Sequence, residues 1–288
     1  MDEIAAHAQC RRWAQNFTGP GLALADRALL RPRLQAPFLV GDPPGRPSTA
    51  AQDPGFYTLR VARVVRETKN TTSFFLAIPE EFADRFRHRA GQYITLRFDL
   101  DAEIHLRPYS ISSVAGRDEQ MRVTVQRVRG GLVSNWMNDD LGRGDEVVTT
   151  APMGHFTLPG LGPGGYSVIA FAEKIGIAPI LSIAATALHQ PLPRVHVLYT
   201  TADSAPAVFD AGLRALEREH GDRLTVRRCY NAQASQLQDR DILGLSTVTE
   251  SESLFYVCGS ERFTDRVEQT LLAGGTAPDR IRVEPFTT

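Results

Sequence analysis

The sequence predicts a six-stranded antiparallel Greek-key β barrel followed by a doubly wound α/β domain, a parallel sheet with helices on both faces. Up to about Leu158, short segments alternate apolar and polar residues, as half-buried strands do. After the Gly160 to Gly165 punctuation the pattern changes to continuous apolar runs, which suit strands buried on both faces. Helical stretches lie between several of those runs, the arrangement that parallel strands require. A length of 288 residues accommodates two such units without covalent staples.

In chain order, residues 1–55 read as an N-terminal arm and linker: a helix from Ile4 to Phe17, then Gly19-Pro20-Gly21, then a run from Gly41 to Gly55 rich in Gly, Pro and Ser. Residues 56–160 form the barrel, with strands expected at Tyr57 to Glu67, Thr72 to Ile78, Tyr93 to Asp99, Tyr109 to Ser112, Met121 to Arg129 and Glu146 to Thr150. The clearest alternation is Met121-Arg122-Val123-Thr124-Val125-Gln126. A helix is expected to open near Ser134 and close near Leu141-Gly142. Residues 161–288 form the α/β unit, with strands at Ser167 to Ala172, Val195 to Tyr199, Leu224 to Cys229 and Leu254 to Cys258. Its helices run from Ala178 to His189, Val208 to His220 and Glu261 to Leu272, and Asp239-Arg240-Asp241 reads as a solvated turn.

Composition narrows the function classes. With 32 Lys plus Arg against 33 Asp plus Glu, no global field draws the protein to nucleic acid or anionic lipid. No stretch approaches the ~20 apolar residues of a membrane span, and the N-terminus opens on Asp2 and Glu3 rather than on a basic leader, so a cytoplasmic protein is expected. Three dispersed cysteines, Cys10, Cys229 and Cys258, argue against a disulfide framework, a zinc site and an iron–sulfur cluster.

The strongest motif is Arg107-Pro108-Tyr109-Ser110-Ile111-Ser112-Ser113. On one strand it alternates a guanidinium, which can grip a pyrophosphate bidentately, with an aromatic ring that can stack on a planar heterocycle. Downstream, Gly130-Gly131-Leu132-Val133-Ser134 leads into a helix whose free N–H groups suit a second phosphate contact. Near Tyr109, His105 and His155 are acid–base candidates, and Cys258 lies at a strand end facing the expected cleft.

From about Phe56 to Phe286 these motifs resemble the ferredoxin–NADP reductase superfamily, particularly bacterial reductases that serve oxygenases. The resemblance implies that FAD is bound, with Arg107 at the pyrophosphate, Tyr109 on the ring face, Ser110 near the ring's reactive edge and Pro108 within the same cofactor-binding run. It assigns Gly131, Val133 and Ser134 to the second phosphate turn, Gly91-Gln92-Tyr93 to the strand preceding the flavin motif, and Phe286 to a shield on the flavin's other face.

The nucleotide half departs from that family. Where its members carry a loop like Gly-Thr-Gly-Ile-Ala-Pro, this chain reads Lys174-Ile175-Gly176-Ile177-Ala178-Pro179, so side chains stand where the backbone would approach a pyrophosphate. Thr200-Thr201-Ala202 replaces a polar ribose anchor, Phe209-Asp210-Ala211-Gly212-Leu213 replaces a Phe-Arg-Asp-Glu-Leu run, and Cys258-Gly259-Ser260 replaces Cys-Gly-Pro. Three functions are compatible with this pattern. The first is a flavoenzyme with a weakened or lost NAD(P)H site, diverged to act on a small metabolite in biosynthesis, using Ser110, Cys258 or His155 catalytically and Lys174, Ile175, Gly176 and Gly259 as a former nucleotide loop or substrate pocket. The second is an NAD(P)H-dependent reductase passing electrons to a separate ferredoxin or oxygenase. The third is a non-catalytic flavin-binding protein.

Overall fold

The computed structural model describes residues 55–159, 166–191, 193–201, 207–230, 237–246 and 253–286. The expected N-terminal arm, its helix, Cys10 and Ala202 lie outside the described residues.

The first half is a six-stranded antiparallel sheet: β1 (Phe56–Thr68), β2 (Thr71–Ala77), β3 (Tyr93–Leu100), β4 (Glu103–Ser110), β5 (Gln120–Gln126) and β6 (Glu146–Thr150), in the order β4-β3-β6-β1-β2-β5. Leu59, Val61, Phe74, Leu76, Ile94 and Leu96 are fully buried inside its curve, and Val133, Trp136 and Met137 of helix α1 (Leu132–Asp139) plug one end. Each such side chain contributes about 1.5–3 kcal/mol of burial. The expected barrel is incompletely closed. Its edges, β4 and β5, meet at a single bridge, Ile111↔Val123, so both strands keep unpaired backbone over most of their length.

β4 also differs from the expected Tyr109 to Ser112. It starts at Glu103, and its polar composition disguises it, because an edge strand can expose Glu103, Ile104, Arg107 and Pro108 to water. Pro108 is compatible with an edge, where its missing N–H interrupts no central ladder. β5 stops at Gln126 rather than Arg129 because the Arg127 N–H turns to the Asn70 carbonyl, at 2.8 Å.

The second half is a five-stranded parallel sheet: β7 (Ser167–Glu173), β8 (Val195–Thr201), β9 (Leu224–Tyr230), β10 (Ser253–Ser260) and β11 (Ile281–Phe286), ordered β11-β10-β7-β8-β9. On β7, Val168, Ala170 and Ala172 face α2 (Ile177–Leu188) and α3 (Asp210–His220), whereas Ile169 and Phe171 face α4 (Asp239–Ser246) and α5 (Glu261–Ala273). This two-sided burial confirms the doubly wound reading. Two elements go beyond the sequence expectation. Asp239-Arg240-Asp241, expected as a solvated turn, is the first turn of α4, which Ile242 anchors in the core. β11 is an edge strand that Pro285 conceals in the sequence.

The halves are bonded to each other. Ser182 Oγ donates to the Ser113 carbonyl at 2.6 Å, Tyr256 OH donates to the Thr157 carbonyl at 3.0 Å, and the Phe156 and Tyr256 rings meet edge-on at 5.3 Å. Arg122 of β5 lies 4.7 Å from the centroid of the Phe209 ring, ahead of α3, while its guanidinium donates to Ser112 Oγ at 3.0 Å. Near the junction, burial holds the His88 imidazole below its usual range, opposed by a hydrogen bond to the Ser113 backbone and by Asp118. Burial, then Arg117 and His220, lower His189 in the same way, opposed by Glu219 and Asp118. Both folded values lie below the unfolded ~6.5. Their contribution to stability is therefore complete above about pH 6.5 and is lost as pH falls through the folded values. Urea unfolding at pH 7.5 and pH 5 should show this loss, and His88→Gln should flatten it.

Candidate functional site

Two clusters emerge, one on each half. On the barrel, the gap between β4 and β5 is bounded by the flavin motif expected from sequence. Ser110 pairs with Tyr93 and Tyr109 with Ile94, which fixes Arg107 and Tyr109 on one side of β4. Arg107 is exposed, forms no ion pair among the described residues, and donates to the Leu106 carbonyl at 2.9 Å, so its charge is available to an anion. The Tyr109 ring is half-buried against the barrel core; burial raises its phenol, the Arg107 charge opposing, and the hydroxyl stays protonated.

The turn before α1 forms the other wall. Gly130 adopts φ +72°, and Gly131 caps the helix. A Cβ on Gly131 would lie 2.7 Å from Ser134 Oγ and 3.0 Å from the Val128 Cβ, so a side chain there would displace the Ser134 hydroxyl. The motif places Val133 and Ser134 at a phosphate, but their side chains turn elsewhere. Val133 buries its side chain in the barrel core, and Ser134 Oγ accepts the Val128 N–H at 3.1 Å. What this turn offers a phosphate is the set of free N–H groups at the start of α1. An unpaired cation, a half-buried aromatic face, a helix start and two open strand edges fit an elongated anionic cofactor with a planar ring.

His155 is exposed at the end of this half, beyond Met153, which bridges to Tyr93, and Gly154, which has no Cβ to press on the Tyr93 ring. His105, half-buried on β4, has a buried Nε2 without a hydrogen-bond partner.

The second cluster gathers at the carboxyl ends of β7, β10 and β11, where the strand order reverses and ligands of open α/β sheets normally sit. Lys174 is exposed and holds φ +50°, while Ile175 packs against the α2-side core. Gly176 is buried: a Cβ there would stand 2.3 Å from the Cys258 carbonyl oxygen. Its bare backbone is therefore occupied by β10. Gly259 lacks a Cβ that would meet Phe263 at 2.5 Å and the Glu173 Cβ at 2.9 Å. Phe286 pairs with Ser260 and packs partly buried on the same core. Cys258, expected to face the cleft, is 3% exposed within that core; burial, with Glu284 opposite it, pushes the thiol well up, so its sulfur is a packing group here. The 174–176 turn touches β5, which brings the two clusters side by side.

Glu173 belongs to none of the motifs legible in the sequence. Its Oε2 accepts the Ser260 backbone N–H at 2.9 Å and the Ser260 hydroxyl at 2.5 Å, tying the end of β7 to the start of α5. The only signal for it is its place beside the altered loop. Toward β9, Arg228 is gripped by Asp210 at 2.6 Å and Glu217 at 2.7 Å, so that cation is already neutralised.

Comparison with known proteins agrees with this geometry. The family described as "Oxidoreductase FAD-binding domain" matches residues 58–158. The chain is 32% identical over 231 residues to the ferredoxin reductase component of 3-ketosteroid-9-alpha-monooxygenase from Rhodococcus rhodochrous, covering 80% of this chain and 65% of that protein. It is 28% identical over 247 residues to a flavohemoprotein from Schizosaccharomyces pombe, covering 81% of this chain and 57% of that protein. The chain thus spans less than two thirds of the length of either relative. Among solved structures, a ferredoxin NADP+ reductase from Neisseria gonorrhoeae with bound FAD and NADP superposes with a TM-score of 0.64 at 22% identity, over 81% of this chain and 99% of that one. A cytochrome P450 reductase from Amycolatopsis superposes with a TM-score of 0.67 at 23% identity, over 81% and 71%. At these identities the superpositions show a shared fold.

Proposed function

Because the chain belongs to the ferredoxin–NADP reductase superfamily and carries its FAD-binding domain, we propose that it is an FAD-dependent enzyme with a weakened NAD(P)H site, whose cleft serves a small metabolite of biosynthesis. The use made of the turn after β7 carries this reading. Of the three residues Lys174 to Gly176, two bear side chains, and the third spends its missing Cβ on the backbone of Cys258. No Cβ-free backbone in that turn is left for a pyrophosphate.

In this reading Arg107 would hold the cofactor's pyrophosphate and the N–H groups of Leu132, Val133 and Ser134 would complete the anion seat, the Gly131 N–H being bonded to the Val128 carbonyl at 2.9 Å. Pro108 keeps β4 extended between Arg107 and Tyr109, Tyr109 would provide an aromatic face for the ring, and Ser110 would offer it a hydroxyl. Phe286, at the end of β11, would shield the ring from water. When bound, FAD supplies a ring that takes up or releases a hydride or single electrons. His155 is the exposed group suited to holding a proton for a substrate on the barrel side, whereas the protonated, buried Cys258 is unsuited to nucleophilic work.

A second reading, an NAD(P)H-dependent reductase feeding a separate ferredoxin or oxygenase, draws on two observations. The Rhodococcus relative is named as the ferredoxin reductase component of a monooxygenase. Lys174 also stands at φ +50°, in the region that favours glycine, and its exposed ammonium is a cation suited to a phosphate. Anaerobic mixing of the FAD-loaded protein with NADH or NADPH separates the readings. The yellow flavin band is expected to persist; rapid bleaching would establish the reductase instead.

A further inference from the structure

We propose that Glu173 is a specificity-determining residue that excludes anionic nucleotides by filling the switch-point crevice with the protein's own carboxylate. The inference rests on the reading of a weakened nucleotide site and names its cause. Ligands of a doubly wound sheet enter beyond the strand ends where the order reverses, here between β7 and β10. Glu173 ends β7, and its carboxylate crosses to Ser260, the residue that ends β10 and caps α5. Both contacts are made by Oε2, from the Ser260 N–H at 2.9 Å and the Ser260 hydroxyl at 2.5 Å.

The packing leaves room for a side chain at this position. Gly259 has no Cβ, and one there would press on the Cβ of Glu173 and the ring of Phe263. The positive end of the 13-residue helix α5 is thereby matched by an internal anion. A phosphate brought to the same crevice meets a like charge held at the mouth of α5 and finds the N–H and hydroxyl of its cap, Ser260, already taken. Lys174, exposed one residue later, carries an opposing charge, but it extends from a turn that Glu173 and Gly176 hold on either side. A ligand with neutral or cationic groups at that point carries no such penalty, so the crevice favours an uncharged or basic small molecule over a dinucleotide.

The test compares the FAD-loaded full chain with Glu173→Ala and Glu173→Gln. Binding of NAD+ and NADP+ is followed by calorimetry, and flavin reduction by NADH and NADPH is followed anaerobically. Glu173→Ala, which removes charge and bulk, is expected to tighten nucleotide binding at least tenfold and to speed flavin bleaching in parallel. Glu173→Gln keeps the bulk and a carbonyl for Ser260, and it should recover the part due to charge while preserving the fold. FAD content should not change in either variant. If the unaltered chain binds poorly and neither variant binds better, the inference falls while the weakened-site reading stands, and obstruction passes to Lys174 and Ile175. If the unaltered chain binds tightly and bleaches fast, the reading itself falls and the inference with it.

Discussion

Gly91→Ala is expected to cost about 4 kcal/mol or more of stability and to part the two halves of the protein. Gly91 sits just before β3 at φ +92°, a conformation alanine resists, and its Cβ would lie 1.9 Å from the Phe156 carbonyl oxygen and 3.0 Å from Ile183 Cδ1 of α2. No rotamer relieves a Cβ clash with backbone, so the chain must move. That movement pulls on the segment carrying Phe156, whose ring packs on Tyr256, and Thr157, whose carbonyl accepts the Tyr256 hydroxyl. Gly116→Ala provides the control. Its φ of +73° is equally strained, but nothing lies within 4 Å of its Cβ, so only the backbone term of about 1 kcal/mol should be lost. Urea unfolding of both variants measures the difference, and similar losses would show that the close approach at Gly91 can relax.

Arg107→Ala is expected to weaken FAD binding by about 2–3 kcal/mol, or roughly 30- to 150-fold, with little change in folding stability. The side chain is exposed and makes no ion pair among the described residues, so its removal leaves no buried charge behind. Titration of apoprotein with FAD, read by flavin fluorescence, reports the affinity directly. Val133→Ala should show the opposite division. Its side chain is 2% exposed within the barrel core, so truncation should cost about 1–2 kcal/mol of stability while sparing the backbone N–H groups near the cofactor. Equal FAD affinity in Arg107→Ala and the unaltered chain would remove Arg107 from the pyrophosphate.

Much of the cofactor half is legible in the sequence because its signals are local. Alternation in Met121 to Gln126, the Arg-Pro-Tyr-Ser order and the Gly-Gly turn each act within a few residues, and the structure places them around one open strand gap. Val133 and Ser134 show the limit of such reading. Their place at the start of the helix is local, but whether a side chain meets a ligand or its own protein depends on what the helix packs against.

By itself the sequence determined the succession of most strands and helices, α4 and β11 excepted, and the residue chemistry available at each place, since periodicity and backbone preference are properties of neighbouring residues. It could not determine that the barrel stops short of closing, that Gly176 spends its freedom on β10, or that Glu173 reaches Ser260, 87 positions away in the chain. Those outcomes arise where distant strands are brought side by side, and only the folded sheet decides which groups then compete for the same space.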